Sequence, residues 1–144
     1  MSEQLHTEQW LCFKVEDEIY AHQVQQVHEI ISYKQPVPVP GSPNCVEGVL
    51  NIRGEVVTVI SCRQLLGLDS AKQSEHIVVL DTVAGLLGVT VDTVDQIRLL
   101  HVEDMVPTPQ NAEYSPIKAT INHQQGLLIL TDFDRCVKQL EIYE

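Results

Sequence analysis

Apolar and polar residues alternate over several short runs of this chain, the period of half-buried strands. In Trp10-Leu11-Cys12-Phe13-Lys14-Val15 the alternation puts Leu11, Phe13 and Val15 on one face. Glu16-Asp17-Glu18 is an acidic turn, and Ile19-Tyr20-Ala21 begins a return strand, so the opening segment is predicted as a hairpin. Residues 48–60 predict a second. Gly48-Val49-Leu50-Asn51-Ile52 and Val56-Val57-Thr58-Val59-Ile60 flank Arg53-Gly54-Glu55, a polar, glycine-containing break that holds one arginine at the tip of an apolar strand pair. Further pairs are predicted at 76–81 with 86–89, around Val83-Ala84-Gly85, and at 117–121 with 127–131, around Asn122-His123-Gln124-Gln125-Gly126.

Two short helices complete the pattern. Arg63-Gln64-Leu65-Leu66 is a helical turn stopped by Gly67, and Asp132 caps a last helix with the stripe Phe133, Cys136, Val137 and Leu140. The three-residue spacing of Val24, Val27 and Ile30 fits one amphipathic helix, and equally a helical turn at 23–26 running into a strand at 27–32; periodicity leaves both open. Four prolines between Pro36 and Pro43 forbid helix and make an extended connector. Residues 67–75 are a polar loop, and residues 103–116, with Pro107, Pro109 and Pro116, a long surface loop.

The pattern occurs twice. A shift of 67 lays Val24, Val27 and Ile30 on Val91, Val94 and Ile97, and Phe13 and Tyr20 on Leu80 and Leu87. A shift of 71 lays Leu50-Asn51 on Ile121-Asn122 and residues 57–59 on 128–130. Each half is hairpin, short bend, hairpin, short helix, which predicts two small barrel-like β-units whose closure removes exposed edges.

Composition narrows the function. At 144 residues, with 44% hydrophobic and 20% charged residues, the chain is expected to fold as one globular domain. Nine Lys and Arg against a net charge of −11 leave no basic patch for nucleic acid or an anionic membrane, and favour basic patches on protein partners. No run approaches the ~20 apolar residues that span a bilayer, and the polar, acidic N-terminus is unlike a signal peptide, so a cytoplasmic location is expected.

Catalytic patterns are missing from the sequence. Cys12, Cys45, Cys62 and Cys136 have no C-x-x-C spacing and are expected to be buried free thiols. His6, His22, His28, His76, His101 and His123 form no H-x-x-x-H pair and are expected on the surface or in loops. No G-x-S-x-G elbow or phosphate-cradling glycine loop occurs, and the carboxylates of Glu16-Asp17-Glu18 and Glu103-Asp104 lie in loops where solvation explains them. Neither an enzyme nor a cofactor is expected. Arg53 is the exception in kind: a guanidinium beside apolar strands suits a bidentate anchor for a partner's carboxylate or carbonyl.

At this hairpin the chain closely resembles the CheW-like domain family. The resemblance rests on residues 47–57, with the core Gly48-Val49-Leu50-Asn51-Ile52-Arg53-Gly54, followed by Arg63 and Gly67. Supporting matches are the Phe13-to-Tyr20 hairpin, residues 24–30, the proline connector, Gly88-Val89-Thr90-Val91-Asp92 and Leu127-Leu128-Ile129-Leu130. The chain departs from the family's usual Pro at Thr58, Asp at Ser61, Leu at Cys62, Gly near Ala21, and a tighter turn at His123-Gln124-Gln125.

The family implies a mainly β fold of two packed five-stranded β-barrels with short helices, with residues 1–9 as a tail and 10–144 as the domain. It also implies a strand at 27–32. Its adaptors are non-catalytic scaffolds that join the tip of a membrane chemoreceptor to the regulatory domain of a CheA-type histidine kinase, which implies recruitment to membrane-associated arrays. By similarity the receptor groove involves Val27, Glu29, Gly48, Asn51, Arg53, Gly88 and Ile97. The same resemblance leaves as alternatives an adaptor for pilus motility or another chemosensory pathway, or a kinase-binding module that engages no receptor.

Overall fold

Among the described residues, eleven strands sort into two sheets. The computed structural model describes residues 6–68, 74–109, 115–123 and 126–141, the side chains of 138–141 excepted. In chain order the strands are β1 (Thr7–Val15), β2 (Glu18–Gln23), β3 (Val27–Ser32), β4 (Val46–Ile52), β5 (Glu55–Ser61), β6 (His76–Thr82), β7 (Gly85–Val91), β8 (Thr93–His101), β9 (Val106–Pro107), β10 (Ile117–His123) and β11 (Gly126–Thr131). Helix α1 (Cys62–Leu65) follows β5 and α2 (Asp134–Glu141) follows β11. Between β2 and β3 lies a single 3₁₀ turn, Val24–Gln26, so the valine spacing resolves as turn then strand rather than one helix.

Strand β1 begins at Thr7, so residues 7–9 belong to the sheet and not to a tail. The 103–116 segment is not loop throughout either. Its described residues include the end of a 3₁₀ turn, Val102–Asp104, and β9, which pairs with β10. Residues 110–114 of that segment, most of the 67–75 loop, the Gln124-Gln125 turn and the Leu140 side chain lie outside the described residues.

The six-stranded sheet has the order β8-β1-β2-β11-β10-β9 and the five-stranded sheet β3-β6-β7-β5-β4. Each sheet therefore combines a first hairpin from one half of the chain with a second hairpin from the other. The repeat is obeyed to the residue. Tyr20 pairs in parallel with Ile129 as Leu87 does with Thr58, and Phe13 pairs with Val94 as Leu80 does with Val27. The β-bulges correspond as well, at Val46/Gly48 and at Ile117/Ala119.

The largest apolar cluster lies between the sheets. Leu11, Phe13, Val15 and Tyr20 from one sheet meet Ile60, Val78, Leu80, Leu87, Val89 and Val91 from the other, and Phe133, just before α2, closes it with Cys136 and Val137 of α2. Trp10, Cys12 and Ala21 face the opposite way, into the six-stranded unit with Leu100, Ile121 and Leu130. The inside of the five-stranded unit holds Ile52, Val57, Val59, Ile77 and Val79. Strand β1 is thus buried on both faces, so the single buried face expected for it becomes two. Each large side chain so buried contributes roughly 1.5–3 kcal/mol.

The proline connector is tied to the sheet edge. Val37 and Val49 exchange two backbone hydrogen bonds of 2.9 Å, which presses the connector onto Gly48. Gly48 has φ +146°, and a Cβ there would stand 2.2 Å from the Val37 carbonyl oxygen, a backbone atom that has no rotamer to give way. Gly48→Ala is expected to cost about 3 kcal/mol through overpacking and strain. A lowered urea midpoint with an unchanged slope would show it, and a midpoint equal to the parent's would contradict the close approach.

Candidate interaction surface

The Ile52-Arg53-Gly54-Glu55 turn needs two residues in the left-handed region, and Arg53 (φ 53°) and Gly54 (φ 88°) supply them. Such a turn matches the right-handed twist of its strands. Glycine adopts that conformation freely; an arginine there costs on the order of 1–2 kcal/mol. Asn51 offsets part of the cost, its Oδ1 accepting the Gly54 N–H at 3.0 Å. The Arg53 side chain is 80% exposed, and its Nη2 lies 3.1 Å from Oε1 of Glu29, which is 16% exposed.

Glu29 is on β3 and Arg53 on the β4–β5 turn, at opposite edges of the five-stranded sheet. Their contact requires the sheet to curl. One cross-strand row runs the whole way round: Glu29 opposite Val79, Val79 opposite Gly88, Gly88 opposite Val59, Val59 opposite Gly48. Val59 and Val79 fill the inside of the unit, so Glu29, Gly88 and Gly48 share that inward face. A Cβ on Gly88 would meet Ile77 Cγ2 at 3.0 Å and Val59 Cγ2 at 3.3 Å. Two positions without side chains on one row let a narrow sheet close on itself. In the six-stranded unit the corresponding positions are Ala21 and Ala119.

The structure therefore brings Glu29, Asn51 and Arg53 to one surface and places Val27 at the start of the same strand, half-buried against the central core. Gly48 and Gly88 are buried beneath this surface and act through packing. Ile97 lies on β8, in the other sheet, exposed and opposite Leu11. It is the counterpart of Ile30, also exposed on β3. Two more exposed pairs follow the repeat, Val56 with Leu127 and Val37 with Val106.

Several polar residues occupy other places than the sequence indicates. Arg63 is 2% exposed; its Nε and Nη2 donate to Asp92 at 3.0 and 2.5 Å, and its Nη1 donates to Glu16. Glu16 is thus part of a half-buried ion cluster and not simply a solvated turn residue. Acidic hydrogen bonds to Asp92 and Glu16 hold the guanidinium charged, outweighing its burial. His22 is not on the surface but buried on β2, and burial pushes its pKa below the ordinary histidine value. Nothing in the local pattern separates these residues from solvated ones, because Asp92 and Glu16 for Arg63, and Thr131 and Phe133 for His22, are remote in sequence. All four cysteines are buried, and burial raises Cys136 to about 12 and Cys62 further still. Among the described residues, no group of three His, Cys, Asp or Glu side chains is placed to hold a metal, and no helix is long and apolar enough to cross a membrane.

This architecture has close parallels. The chain superposes with a TM-score of 0.80 on the crystal structure of the scaffolding protein TtCheW from Thermoanaerobacter tengcongensis, covering 88% of this chain and 90% of that one at 19% identity. The chemotaxis protein CheW of Thermotoga maritima is 27% identical, the match covering 93% of this chain and 90% of the relative. That of Rhizobium meliloti is 30% identical, over 86% and 83%. The CheW-like domain matches residues 9–141, a span that takes in both sheets and α2. The chain belongs to the CheW-like domain family of chemotaxis adaptors.

Proposed function

We propose that this protein is a non-catalytic scaffold that couples the cytoplasmic tip of a chemoreceptor to a CheA-type histidine kinase. One observation carries the receptor half of this reading: an exposed arginine is held in a left-handed backbone conformation and aimed across the mouth of a curled sheet at Glu29. Strained backbone and a pre-placed guanidinium are features of binding sites, where order in the free protein lowers the cost of association. Glu29 fixes the fork while leaving most of it open to a partner's carboxylate or carbonyl. Val27, Asn51 and Ile97 extend the receptor-facing surface, and Gly48 and Gly88 hold its shape from beneath.

The kinase half rests on the exposed apolar pairs. Val37 and Val106, and Val56 and Leu127, repeat with the fold and offer each sheet unit a similar apolar surface. The kinase's regulatory domain, which shares the fold by resemblance, is suited to dock against such a surface. The adaptor works in the cytoplasm and reaches the membrane through its receptor. Co-sedimentation tests the proposal. The chain is expected to bring down a CheA-type kinase with receptor signalling fragments as a ternary complex. Kinase binding with no gain from receptor would instead make it a kinase-only module, and binding to neither would refute the scaffold reading.

A further inference from the structure

His22 sits at a joint between elements of both halves. It is 2% exposed on β2 and tilted against the Phe133 ring at 5.3 Å, with both ring nitrogens engaged. Nε2 is 2.7 Å from Gln26 Oε1, and Nδ1 is 2.9 Å from Thr131 Oγ1. The Gln26 side-chain NH₂ donates to Asp134 Oδ2 at 3.1 Å, and the other oxygen of Asp134 accepts the Val83 N–H at 3.3 Å. A carboxylate only accepts, so the Gln26 oxygen is the atom that faces the ring, and Nε2 carries a hydrogen.

Thr131 has one hydroxyl hydrogen and two acceptors in reach, His22 Nδ1 and the Ala21 carbonyl at 3.0 Å. With a neutral ring the hydroxyl donates to Nδ1. When Nδ1 takes up a proton, it donates to Thr131 Oγ1 and the hydroxyl turns to Ala21. Every contact survives, so hydrogen-bond geometry admits both forms. Burial opposes the charge most strongly. The Gln26 bond, Asp132 and Asp134 favour it, and Lys118 on β10 adds to the opposition.

The ring's cover is uneven. Strands β2 and β11 are interior strands of the six-stranded sheet, and α2 is anchored by buried Phe133, Cys136 and Val137. The 3₁₀ turn Val24–Gln26 has no buried residue. Val24 is half-buried against the central core, but with no fully buried residue the turn is, of the elements around the ring, the one that lifts at least cost. Val27 follows it directly, its N–H bonded to the Val24 carbonyl, and Glu29 stands two residues on.

We propose that the 3₁₀ turn is a proton-sensitive lid over His22, closed on the neutral ring and loosened by proton uptake, and that it governs how firmly β3 holds Glu29 against Arg53. The sign follows from linkage. Lifting the lid returns the ring to water and to a pKa near ~6.5, so opening is independent of pH above that value. Below it, opening rises by up to about tenfold per pH unit until the closed form also protonates.

Amide exchange of the full chain, reported as protection factors, reads this with no partner present. From about pH 7.5 to about pH 5, the Val27 amide is expected to lose protection progressively while the His22 ring titrates. His28→Gln, which removes the exposed histidine next to Val27 on β3, 3.4 Å from Asp81 of β6, should behave as the parent. His22→Gln should be flat across the range, and Gln26→Ala should be poorly protected throughout. A pH-dependent Val27 in His22→Gln, or full protection in Gln26→Ala, would overturn the lid. Should His22→Gln fail to fold, the parent and Gln26→Ala still decide the matter.

Discussion

Arg63→Ala is expected to lower the stability of this protein by about 3 kcal/mol, the lower end of the cost of orphaning a buried ion pair. The lower end applies because the Glu16 and Asp92 side chains are 32% and 21% exposed, so water partly relieves them. The arginine binds three places that the chain visits far apart: it lies on α1 after β5, Glu16 is in the β1–β2 turn, and Asp92 joins β7 to β8. Asp92 also accepts the Glu16 N–H at 2.8 Å, which holds Glu16 in a left-handed conformation at φ 56°. Without the guanidinium, two carboxylates face one another at a junction between the sheets. Arg63→Lys should recover only part of the loss, since an ammonium cannot span both Asp92 oxygens. Urea denaturation checks both, and an Arg63→Ala midpoint within ~0.5 kcal/mol of the parent would show that the cluster does not clamp the sheets.

The repeat adds a contrast to this cluster. Asp134 and Val83 stand where the two shifts place Arg63 and Glu16, and there a carboxylate accepts the Val83 N–H and a Gln26 amide hydrogen. One junction is built from a cation between two anions, the other from an anion between two neutral donors. Similar backbones are thus joined by opposite charges.

Arg53→Asp is expected to abolish receptor binding while leaving the fold intact. The side chain is 80% exposed, so its loss should alter stability by less than ~0.5 kcal/mol. Binding responds far more. An arginine anchor at the centre of an interface carries 2 kcal/mol or more, about thirtyfold in affinity, and the shorter aspartate would leave Glu29 without its cation and add a second negative charge for a partner's carboxylate to meet. Co-sedimentation with receptor signalling fragments, alongside a denaturation curve, separates the two effects. Normal binding by a folded Arg53→Asp chain would remove the Glu29–Arg53 surface from the receptor contact.

Much of the fold was legible in the amino-acid pattern because strands and turns are local. Alternation marked the hairpins, Gly54 and Arg53 marked the tight turn, and the repeat foretold a pseudo-symmetric pair of units. The resemblance carried by residues 48–54 led to the family, and it resolved the Val24, Val27 and Ile30 spacing in favour of a strand.

Tertiary structure decided what local pattern cannot encode. The two halves do not close on themselves but exchange hairpins, through parallel contacts of β2 with β11 and β5 with β7. Alternation gives each hairpin an apolar face without saying which other hairpin will cover it, so both pairings read alike along the chain. The same holds for Arg63 and Glu16, and for the contact of His22 with Thr131, whose partners are remote in sequence. Gly48 and Gly88 read as members of a binding motif, and folding showed them on one row with Glu29, clearing the inside of a curled sheet. The Arg53 hairpin was visible from the start. Its meeting with Glu29 needed that curl, because the two residues sit on opposite edges of the sheet.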